Sequence, residues 1–459
     1  MPIHLDRRRF LRDTGLLLAG APLSRALNAQ TTDDYRALVC VFLFGGLDCH
    51  DVLIPADTAS WNDYARLREP LLAQYGTNRL RSKLLPLEGA ISSENGSRSF
   101  ALPPELSGLK SLFDRGRLSW VGNVGPLVTA TNRASLEARS VPLPPRLFSH
   151  NDQQSVWQAS APEGAQYGWG GLFADALIGS KLNRDATFTT VTGGGADLFL
   201  TGRQNVPYQV NVAGPTEFEL AELLDVEANS SLTAFSAMLD ARKAASGHVL
   251  VRDTADAMIR GFSANRDFAR ALAAAPNPDN PFPSTGLGLQ LRAVARTIAA
   301  RQALGVRRQL FIVGAGGFDS HSNQARTLPQ LMQTMDTSLL AFNNAMEDMG
   351  LGNSVTLFTA SDFGRTLAVN GDGTDHGWGG HHLVMGGAVQ GGQILGTVPP
   401  ATLGHDQDAG GGRLIPTIAV DQYAAALGIW LGLSQAAVSE ALPNLANFSS
   451  QPLTGLFRT

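Results

Sequence analysis

Residues 374–382, Thr-Asp-His-Gly-Trp-Gly-Gly-His-His, concentrate side chains that can do chemistry. They include three of the nine histidines of the chain, Asp375 and three glycines. Just upstream, the apolar run 355–360 leads into Asp362 and Arg365. Imidazole and carboxylate groups are costly to bury without partners, and glycines give the backbone freedom to bring them together. This composition therefore indicates a metal or anion site rather than a segment of the core.

Two further apolar runs end in the same types of residue. Run 37–44 is followed by two glycines and Asp48, and run 309–314 by glycines, Asp319 and His321. Such runs suit strands buried on both faces of a parallel sheet, whose carboxyl ends form the ligand-binding edge. Side chains two residues apart in extended backbone point the same way, so Asp319 and His321 can share one ion. The alternatives are a turn aspartate at Asp48 and a helix cap at Asp319.

A third polar group precedes a predicted helix. Ser149, His150, Asn151 and Asp152 follow a proline-rich stretch and lead into helix-forming residues. Serine, asparagine and aspartate here are N-cap signals, but a hydroxyl and an imidazole at a helix N-terminus also suit an anion. A cap explains Ser149 or Asn151 and does not need His150. Both interpretations, a helix cap and an anion site, stay open.

The gathered carboxylates predict a bound cation. Carboxylates this close would repel one another, and a divalent ion is the simplest way to keep them ionised. Imidazole with carboxylate suits zinc, whereas harder ions such as calcium or manganese prefer oxygen ligands. Arg365, three residues past Asp362, has the planar fork that suits phosphate, sulfate or carboxylate. These residues predict metal-assisted hydrolysis of a small anionic ester.

The elements that must position these residues follow an α/β pattern. A chain of 459 residues, with 44% apolar and 17% charged residues, fits one large α/β domain or two smaller ones. Helices are predicted at 287–303, 328–349 and 417–433, and residues 215–275 are mostly helical by periodicity. We expect a single domain over residues 31–459 with a helical insertion around 215–283.

Net charge and cysteine positions bear on nucleic-acid binding and on disulfide formation. A net charge of −4 offers no basic patch for nucleic acid, so no nucleic-acid partner is expected. The two cysteines, Cys40 and Cys49, lie on or beside one predicted strand. In extended chain they are roughly 30 Å apart, so we expect no bridge between them.

Residues 1–30 predict an export signal. Asp6-Arg7-Arg8-Arg9-Phe10-Leu11-Arg12 is a twin-arginine motif, and the apolar segment after it is too short to cross a ~30 Å hydrocarbon core. The alternative is a basic N-terminal helix. The motif predicts a periplasmic or otherwise exported protein that meets the twin-arginine translocase while folded and has no stable membrane span.

Several of these motifs together resemble a known bacterial family, domain-of-unknown-function family 1501. The motifs are the twin-arginine start, Gly45-Gly46-x-Asp48, residues 147–154 (Leu-Phe-Ser-His-Asn-Asp-Gln-Gln), 317–321 (Gly-Phe-Asp-Ser-His), 361–366 (Ser-Asp-Phe-Gly-Arg-Thr), 373–377 (Gly-Thr-Asp-His-Gly), 413–416 (Arg-Leu-Ile-Pro) and 420–423 (Val-Asp-Gln-Tyr). They span nearly the whole mature chain. The resemblance implies an alkaline phosphatase-like fold, with a mainly parallel central sheet flanked by helices on both faces, as in sulfatases and cofactor-independent phosphoglycerate mutases.

The resemblance also implies roles for individual residues. The metal ligands it implies are Asp48, Asp319, His321, Asp362 and His376. Ser149 stands at the nucleophile position, and with His150 and Arg365 it completes the candidate catalytic set. Phe363 stands where related proteins carry a histidine ligand. The resemblance therefore does not decide whether the site holds one metal ion or two. His381 and His382 either contact substrate or begin the next strand, where at most one of them points into the site.

Three functions are compatible with these observations. The leading hypothesis is an exported, metal-dependent hydrolase of phosphate or sulfate esters. The alternative is a non-catalytic periplasmic binding or assembly protein that keeps the fold, which the phenylalanine at position 363 favours. The third is a cofactor-dependent oxidoreductase. The chain has no Gly-x-Gly-x-x-Gly turn and no cysteine cluster, which argues against that third function.

Overall fold

The computed structural model describes residues 34–194, 198–212, 214, 228–278, 280–449 and 453–458. The predicted export signal and residues 215–227 of the predicted insertion lie outside these residues. The strands are β1 (Arg36–Leu43), β2 (Ile54–Pro55), β3 (Leu85–Pro86), β4 (Ala90–Ile91), β5 (Phe100–Leu102), β6 (Leu118–Gly125), β7 (Thr190–Thr192), β8 (Tyr208–Gln209), β9 (Arg308–Ala315), β10 (Val355–Ser361), β11 (Arg365–Val369), β12 (Thr374–His376), β13 (Gly380–Met385), β14 (Gln393–Leu395) and β15 (Ile418–Ala419).

Helices connect and cover these strands. The α-helices are Thr58–Leu67, Glu69–Tyr75, Ser107–Asp114, Arg133–Glu137, His150–Ala159, Trp169–Gly179, Ala228–Ala245, Val249–Ala274, Gly286–Ala299, Arg301–Leu304, Gln324–Asp348, Val420–Leu431 and Gln435–Ala441. Single turns of 3-10 helix occur at Cys49–Asp51, Gly76–Arg79, Arg81–Lys83, Ser93–Asn95, Pro104–Leu106, Leu198–Leu200 and Leu445–Asn447.

One large sheet organises the described residues. Its order is β4-β14-β6-β13-β10-β1-β9-β7-β8, with β15 also pairing with β6. The central strand β1 pairs in parallel with β9 on one side and β10 on the other. Strand β13 pairs antiparallel with both β10 and β6, and the other pairings within this sheet are parallel. The carboxyl ends of β1, β9 and β10 therefore meet at one edge.

Helices flank the sheet, as expected from the resemblance. Leu38, Cys40 and Phe42 of β1 belong to a core cluster that also contains Trp157 and Tyr423 from two helices. The intervening residues of β1 point to the opposite face and are equally buried. On the β9 side, helix Gly286–Ala299 packs against that strand and against Gln324–Asp348, and its residues lie outside this cluster. The α/β class with a mainly parallel, helix-flanked sheet is confirmed.

Several predicted elements change their bounds. Strand β7 is confined to Thr190–Thr192, because Asp185 Oδ1 accepts a hydrogen bond from Thr187 N and the chain turns before Thr190. The helix expected at 287–303 stops at Ala299 and resumes at Arg301. Strand β13 begins at Gly380, so His381 and His382 both lie within it.

The structure also bears on the cysteines, the domain organisation and the presence of membrane-spanning helices. Cys40 and Cys49 are free and buried, which confirms that they do not bridge each other. Residues Arg36–Thr459 form one compact unit. Among the helices of the described residues, none has the length and apolar character that a membrane crossing requires.

Candidate metal centre

The parallel core of the sheet brings two predicted strand ends together. Strand β10 leads directly into Asp362, and β9 reaches Asp319 after two glycines. The turn after β1 packs closely on the second of these ends. Gly45 there has a φ of 114°, and a Cβ on it would lie 2.3 Å from the backbone nitrogen of Asp319. Only glycine permits this approach, so Gly45 serves the geometry of the Asp319 loop.

Three atoms form a compact triangle beside this edge. Oδ1 of Asp319 lies 3.2 Å from His321 Nε2 and 3.3 Å from His376 Nε2. The two Nε2 atoms are 2.8 Å apart. Ligand atoms held at zinc-type distances are roughly 3 to 3.4 Å from one another. Two sides of the triangle have the dimensions of one face of a metal coordination shell, and the side between the two Nε2 atoms is shorter.

A third imidazole approaches the same carboxylate. His150, in the first turn of helix His150–Ala159, places Nε2 3.4 Å from Oδ2 of Asp319. His150, Asp319 and His376 each offer one ligand atom, and these atoms lie within 4.8 Å of one another. Nε2 of His150 is buried and has no hydrogen-bond partner among the described residues. An unsatisfied nitrogen at this position fits a cation or a substrate group.

The three histidines share one orientation. Each turns Nδ1 outward to an acceptor: Asp362 Oδ2 at 2.6 Å for His150, Asp375 Oδ1 at 3.4 Å for His321, and the Phe148 carbonyl at 2.8 Å for His376. Each presents Nε2 to Asp319. A histidine that binds metal typically donates its other N–H to a carboxylate or a backbone carbonyl in this way, which fixes the tautomer. The donor set therefore fits a metal ion.

Asp362 lies behind His150. Its Oδ2 accepts hydrogen bonds from His150 and, at 2.9 Å, from Gln154 one turn later on the same helix. The hydrogen bond that His150 donates to Asp362 raises the pKa of His150, although burial opposes this. Oδ1 of this fully buried carboxylate has no partner among the described residues. Asp362 orients His150 in the structure, and its role as a direct ligand stays a prediction.

Arg365 lies at the cluster as an anchor for Asp319. The guanidinium donates to Asp319 Oδ1 at 2.7 Å and to the Gly45 carbonyl at 3.0 Å. It also donates to Thr374 through both the side-chain oxygen and the carbonyl. The side chain is fully buried, so its donors face protein rather than solvent. The structure therefore shows Arg365 positioning a carboxylate, whereas the sequence suggested direct binding of the substrate anion.

Charge distribution around the cluster sets its protonation. Burial tends to raise the pKa of Asp319, but the hydrogen bond and charge of Arg365, with His150 and His321, bring it below its ordinary value. Burial lowers the pKa of His376, and the Phe148 carbonyl opposes this. Asp319 stays ionised and His376 stays neutral near pH 7, which are the states that bind a metal.

Asp48 is not among the grouped side chains, which corrects the sequence expectation. Its two oxygens accept a bidentate pair from the buried Arg68, at 2.5 and 2.9 Å, and Oδ2 also accepts from Gln324 at 2.5 Å. The backbone N–H of His50 donates to Oδ1 at 3.2 Å. The carboxylate is fully buried and its charge is already compensated by a guanidinium. Each oxygen of Asp48 already accepts two hydrogen bonds, so neither has a lone pair free for an ion. The role of Asp48 in the structure is to bind Arg68, Gln324 and the backbone of His50.

Ser149 is the N-cap residue of its helix and does not cap it through its side chain. Its Oγ donates to Asp152 Oδ2 at 2.9 Å. The preceding residue, Phe148, has a φ of 72°, an uncommon conformation for a bulky side chain, and its carbonyl accepts from His376. Ser149 thus stands between two residues that contact the cluster, and its role as a nucleophile stays a prediction.

Comparison with known proteins identifies the family. The sequence pattern described as a protein of unknown function, DUF1501, matches residues 35–409. The chain belongs to the DUF1501 family. This match confirms the resemblance drawn from the motifs above. A comparison with curated proteins gives no match.

Solved structures share only general architecture with this DUF1501 protein. Ps i-CgsB in complex with k-i-k-neocarrahexaose has 8% identity over 88% of this chain and 73% of that one, with a TM-score of 0.35. PsFucS1 sulfatase from Pseudoalteromonas sp. has 10% identity over 93% and 73%, with a TM-score of 0.34. The lipoteichoic acid synthase LtaP from Listeria monocytogenes has 9% identity over 80% and 67%, with a TM-score of 0.29. Likeness at this level assigns neither an activity nor a metal.

Three buried histidines of the DUF1501 chain lie outside the cluster around Asp319. His381 Nδ1 accepts from Asn123 N at 3.0 Å, His382 Nδ1 lies 3.3 Å from Thr359 Oγ1, and His50 Nε2 lies 3.2 Å from the Gly412 carbonyl. Burial lowers the pKa of each to about 3, so all three are neutral. The paired histidines of β13 are buried core residues whose Nδ1 atoms contact Asn123 and Thr359, and the expectation that either contacts substrate has no support in their positions.

The structure gives two further residues a role at the DUF1501 site that the sequence did not assign to them. The ring of Phe363 packs against His150 and His376, with centroids 4.8 and 4.6 Å away. Asp375 orients His321 from the outside of the cluster. Asp375 was visible in the histidine-rich segment as a carboxylate next to His376. Phe363 was recognisable only as a departure from the related pattern, and nothing in the sequence indicated that its ring would pack on two imidazoles.

Proposed function

We propose that this protein is a metal-dependent hydrolase of phosphate or sulfate esters and that Asp319, His321 and His376 hold its ion. The observation that carries the proposal is the common orientation of the histidines, with each Nδ1 bound outward and each Nε2 turned to Asp319. Two imidazoles with one carboxylate favour zinc over harder ions. The resemblance of the motifs to alkaline phosphatase-like proteins supports an anionic ester as the substrate.

We propose one ion rather than two. Arg68 compensates the charge of Asp48, which removes the ligand that the resemblance implied at the end of β1. The ring of Phe363 packs on two histidines where a further imidazole would be needed. An apolar ring offers no lone pair. A second metal ion would therefore lack both the ligand expected at Asp48 and the ligand expected at position 363.

The cluster is open enough to meet a substrate. The side chains of Asp319 and His321 are each 45% exposed, whereas Arg365 beneath them is buried. Three protein ligands with solvent access are typical of a catalytic zinc site, which keeps a position for water or substrate. When bound, the ion would polarise the ester oxygen and favour the ionised form of an attacking hydroxyl or water.

Two residues of the first helical turn supply the proposed proton transfers. Ser149 is the candidate nucleophile, and Asp152, to which its hydroxyl already donates at 2.9 Å, accepts the proton. His150, in its imidazolium form with Nδ1–H held by Asp362, gives the proton of Nε2 to the leaving alcohol and becomes neutral. Arg365 keeps Asp319 in place and does not itself reach the ester.

Metal analysis of the purified protein tests this proposal first. We expect about one equivalent of a divalent ion per chain, and its loss in His321→Ala and His376→Ala. His248→Ala is the matched control, because His248 is exposed at the start of another helix and has no contact with the cluster. A wild-type protein that neither retains nor takes up any divalent ion would overturn the proposal.

A second candidate function is a non-catalytic binding or assembly protein. The specific observation in its favour is Arg365, whose donors are engaged by Asp319, Gly45 and Thr374 instead of being free for an anion. A screen of phosphate and sulfate esters separates the two functions. Turnover that depends on metal and is abolished in Ser149→Ala supports the hydrolase, and a metal-loaded protein without turnover supports the binding function.

A further inference from the structure

A chain of buried hydrogen bonds runs from Asp48 to the candidate metal centre, and Gln324 is its central member. Gln324 is the first residue of helix Gln324–Asp348 and is fully buried. Its Nε2 donates to Asp48 Oδ2 at 2.5 Å. Its Oε1 accepts from Thr374 Oγ1 at 2.8 Å and from Ser320 Oγ at 3.1 Å. One amide therefore links three segments that are distant in sequence.

Two of these segments carry the proposed ligands. Ser320 lies between Asp319 and His321, and Thr374 begins the strand β12 that ends at His376. The backbones of the two segments are also joined, because Thr374 N donates to the Ser320 carbonyl at 3.0 Å. Gln324 Oε1 holds both segments at one point. A shift of this oxygen would move the two ligand loops relative to each other.

Arg365 extends the chain to the carboxylate of the site. Its Nε lies 3.3 Å from Thr374 Oγ1, and its NH1 donates to Asp319 Oδ1 at 2.7 Å. The order of contacts is thus Asp48, Gln324, Thr374, Arg365 and Asp319. The buried Asp48–Arg68 pair fixes the far end of this order with two hydrogen bonds.

The chemistry of this position calls for an amide. On one side the partner is a carboxylate, which needs a donor, and on the other side the partners are two hydroxyls, which need an acceptor. Glutamate would set a second negative charge against Asp48. An apolar residue would leave polar atoms of Asp48, Ser320 and Thr374 buried without their partner. Glutamine satisfies both sides in one fixed orientation.

We propose that Gln324 is a positioning residue for the metal centre, acting through Thr374 and Arg365 on Asp319 and through Ser320 on the ligand loop. This inference rests on the proposed metal site and goes beyond it by assigning the control of its geometry to a residue that touches neither ion nor substrate. Changes to such outer partners typically weaken metal binding about 10- to 100-fold.

The test uses the protein loaded with Co²⁺, whose visible spectrum reports coordination geometry. Thr374→Val removes the hydroxyl that joins Gln324 to Arg365 while keeping the shape of the side chain, and Thr374→Ser restores the hydroxyl. We expect Thr374→Val and Gln324→Met to shift the Co²⁺ spectrum and to weaken Co²⁺ binding about tenfold or more. Thr374→Ser should stay near the wild type. Gln330→Ala, on an exposed position of the same helix, is the control and should change neither quantity.

The outcomes separate this inference from the proposed function. A wild-type protein that binds no Co²⁺ overturns both. Tight binding by the wild type together with unchanged spectra and affinities in Thr374→Val overturns the positioning role alone, even if the variant is less stable. Should Gln324→Met fail to fold, Thr374→Val and its serine counterpart decide the question without it.

Discussion

Nδ1 of His150 lies 2.6 Å from Oδ2 of Asp362, and this contact joins residues 212 positions apart in sequence. It ties the first turn of a helix to the end of strand β10. The carboxylate is fully buried, and one of its oxygens has no hydrogen-bond partner among the described residues. The pair therefore sets both the direction in which Nε2 points and the readiness of the imidazole to hold a proton.

Replacing Asp362 by asparagine should lower the pKa of His150. The hydrogen bond and charge of the carboxylate raise that pKa in the native protein, and an amide removes the charge. Because the pKa of the folded state is raised, the protonated pair stabilises the protein below the pKa of the unfolded chain, and this contribution is lost as the pH rises through the folded value. An NMR titration of the His150 ring in metal-free protein measures the shift. An unchanged or higher pKa in Asp362→Asn would contradict the role assigned to the pair.

Gly45→Ala should disturb the metal centre as well as the fold. A Cβ at Gly45 would lie 2.3 Å from Asp319 N, and the φ of 114° is unfavourable for alanine. We expect a loss of about 1 to 3 kcal/mol of unfolding free energy from strain at this φ, together with weaker metal binding. Gly76→Ala is the control, since its φ of 57° is also positive but a Cβ there meets no atom within 4 Å. Equal metal affinity in the two variants would show that the Asp319 loop does not depend on Gly45.

Removing the charge of Arg68 should destabilise the protein strongly whether or not a metal is present. Arg68→Met leaves Asp48 buried and unpaired, and breaking a buried ion pair in this way typically costs about 3 to 5 kcal/mol. Arg66→Met is the matched control, because the side chain of Arg66 is 65% exposed and its pair with Asp63 is worth about 0 to 1 kcal/mol. Urea unfolding with and without chelator measures both. If the loss of unfolding free energy in Arg68→Met disappeared when the metal was chelated, Asp48 would have to be a metal ligand after all.

The three buried neutral histidines should make the protein sensitive to mild acid. His50, His381 and His382 have pKa values of about 3 in the fold, whereas the ordinary value is 6.5. The unfolded chain binds protons below pH 6.5 and the folded chain does not, so unfolding free energy falls as the pH drops towards 3. Each histidine contributes up to about 1.4 kcal/mol per pH unit. Asp421, whose pKa burial raises to about 6, acts in the opposite direction over part of this range.

Urea unfolding at pH 7.5, 6 and 5 measures this dependence. His382→Gln should flatten it, because glutamine keeps an acceptor for Thr359 and takes up no proton on unfolding. His248→Gln serves as the control at an exposed position and should leave the slope unchanged. A slope as steep in His382→Gln as in the wild type would mean that this ring is protonated in the fold.

Export should depend on the paired arginines of the predicted signal. Changing Arg7 and Arg8 to lysine keeps the charge and removes the feature that the twin-arginine pathway reads. We expect the double variant to remain in the cytoplasm with its full N-terminal segment, and a variant with lysine at Arg12 to be exported. Cell fractionation with immunoblotting distinguishes these results. Periplasmic accumulation of the double variant would reject twin-arginine export.

The ends of the central strands were predictable because local pattern and topology agree there. Continuous apolar runs mark β1, β9 and β10, and parallel pairing then forces their carboxyl ends to one edge. Asp319 and His321 reach that edge after β9 and Asp362 after β10 for that reason, whereas His376 comes from β12 of a separate two-stranded sheet. The sequence also indicated that at most one of His381 and His382 would reach a site if a strand had begun. Strand β13 begins at Gly380, and neither histidine reaches the cluster.

The partners of these residues could not be predicted in the same way. Arg68 lies between two helices in an unremarkable segment, and its pairing with Asp48 arises only when helix Thr58–Leu67 packs on β2 and β11 and helix Glu69–Tyr75 packs on Gln324–Asp348. The Phe148 carbonyl reaches His376 because Phe148 has a positive φ. Since this residue is not a glycine, the sequence did not predict that backbone conformation. In each case a tertiary contact decides the role of the residue, and such contacts leave no periodic pattern in the sequence.

The Asp48–Arg68 pair has a consequence for the order of assembly. In a structural zinc domain the ion completes the fold, so folding waits for metal. Here the carboxylate of Asp48 is already paired with the guanidinium of Arg68. The core can therefore fold around this pair before any metal ion binds. Maturation then separates into two steps, folding first and loading second. Cellular supply of the ion, rather than the folding of the chain, would set when and in which compartment the centre is filled.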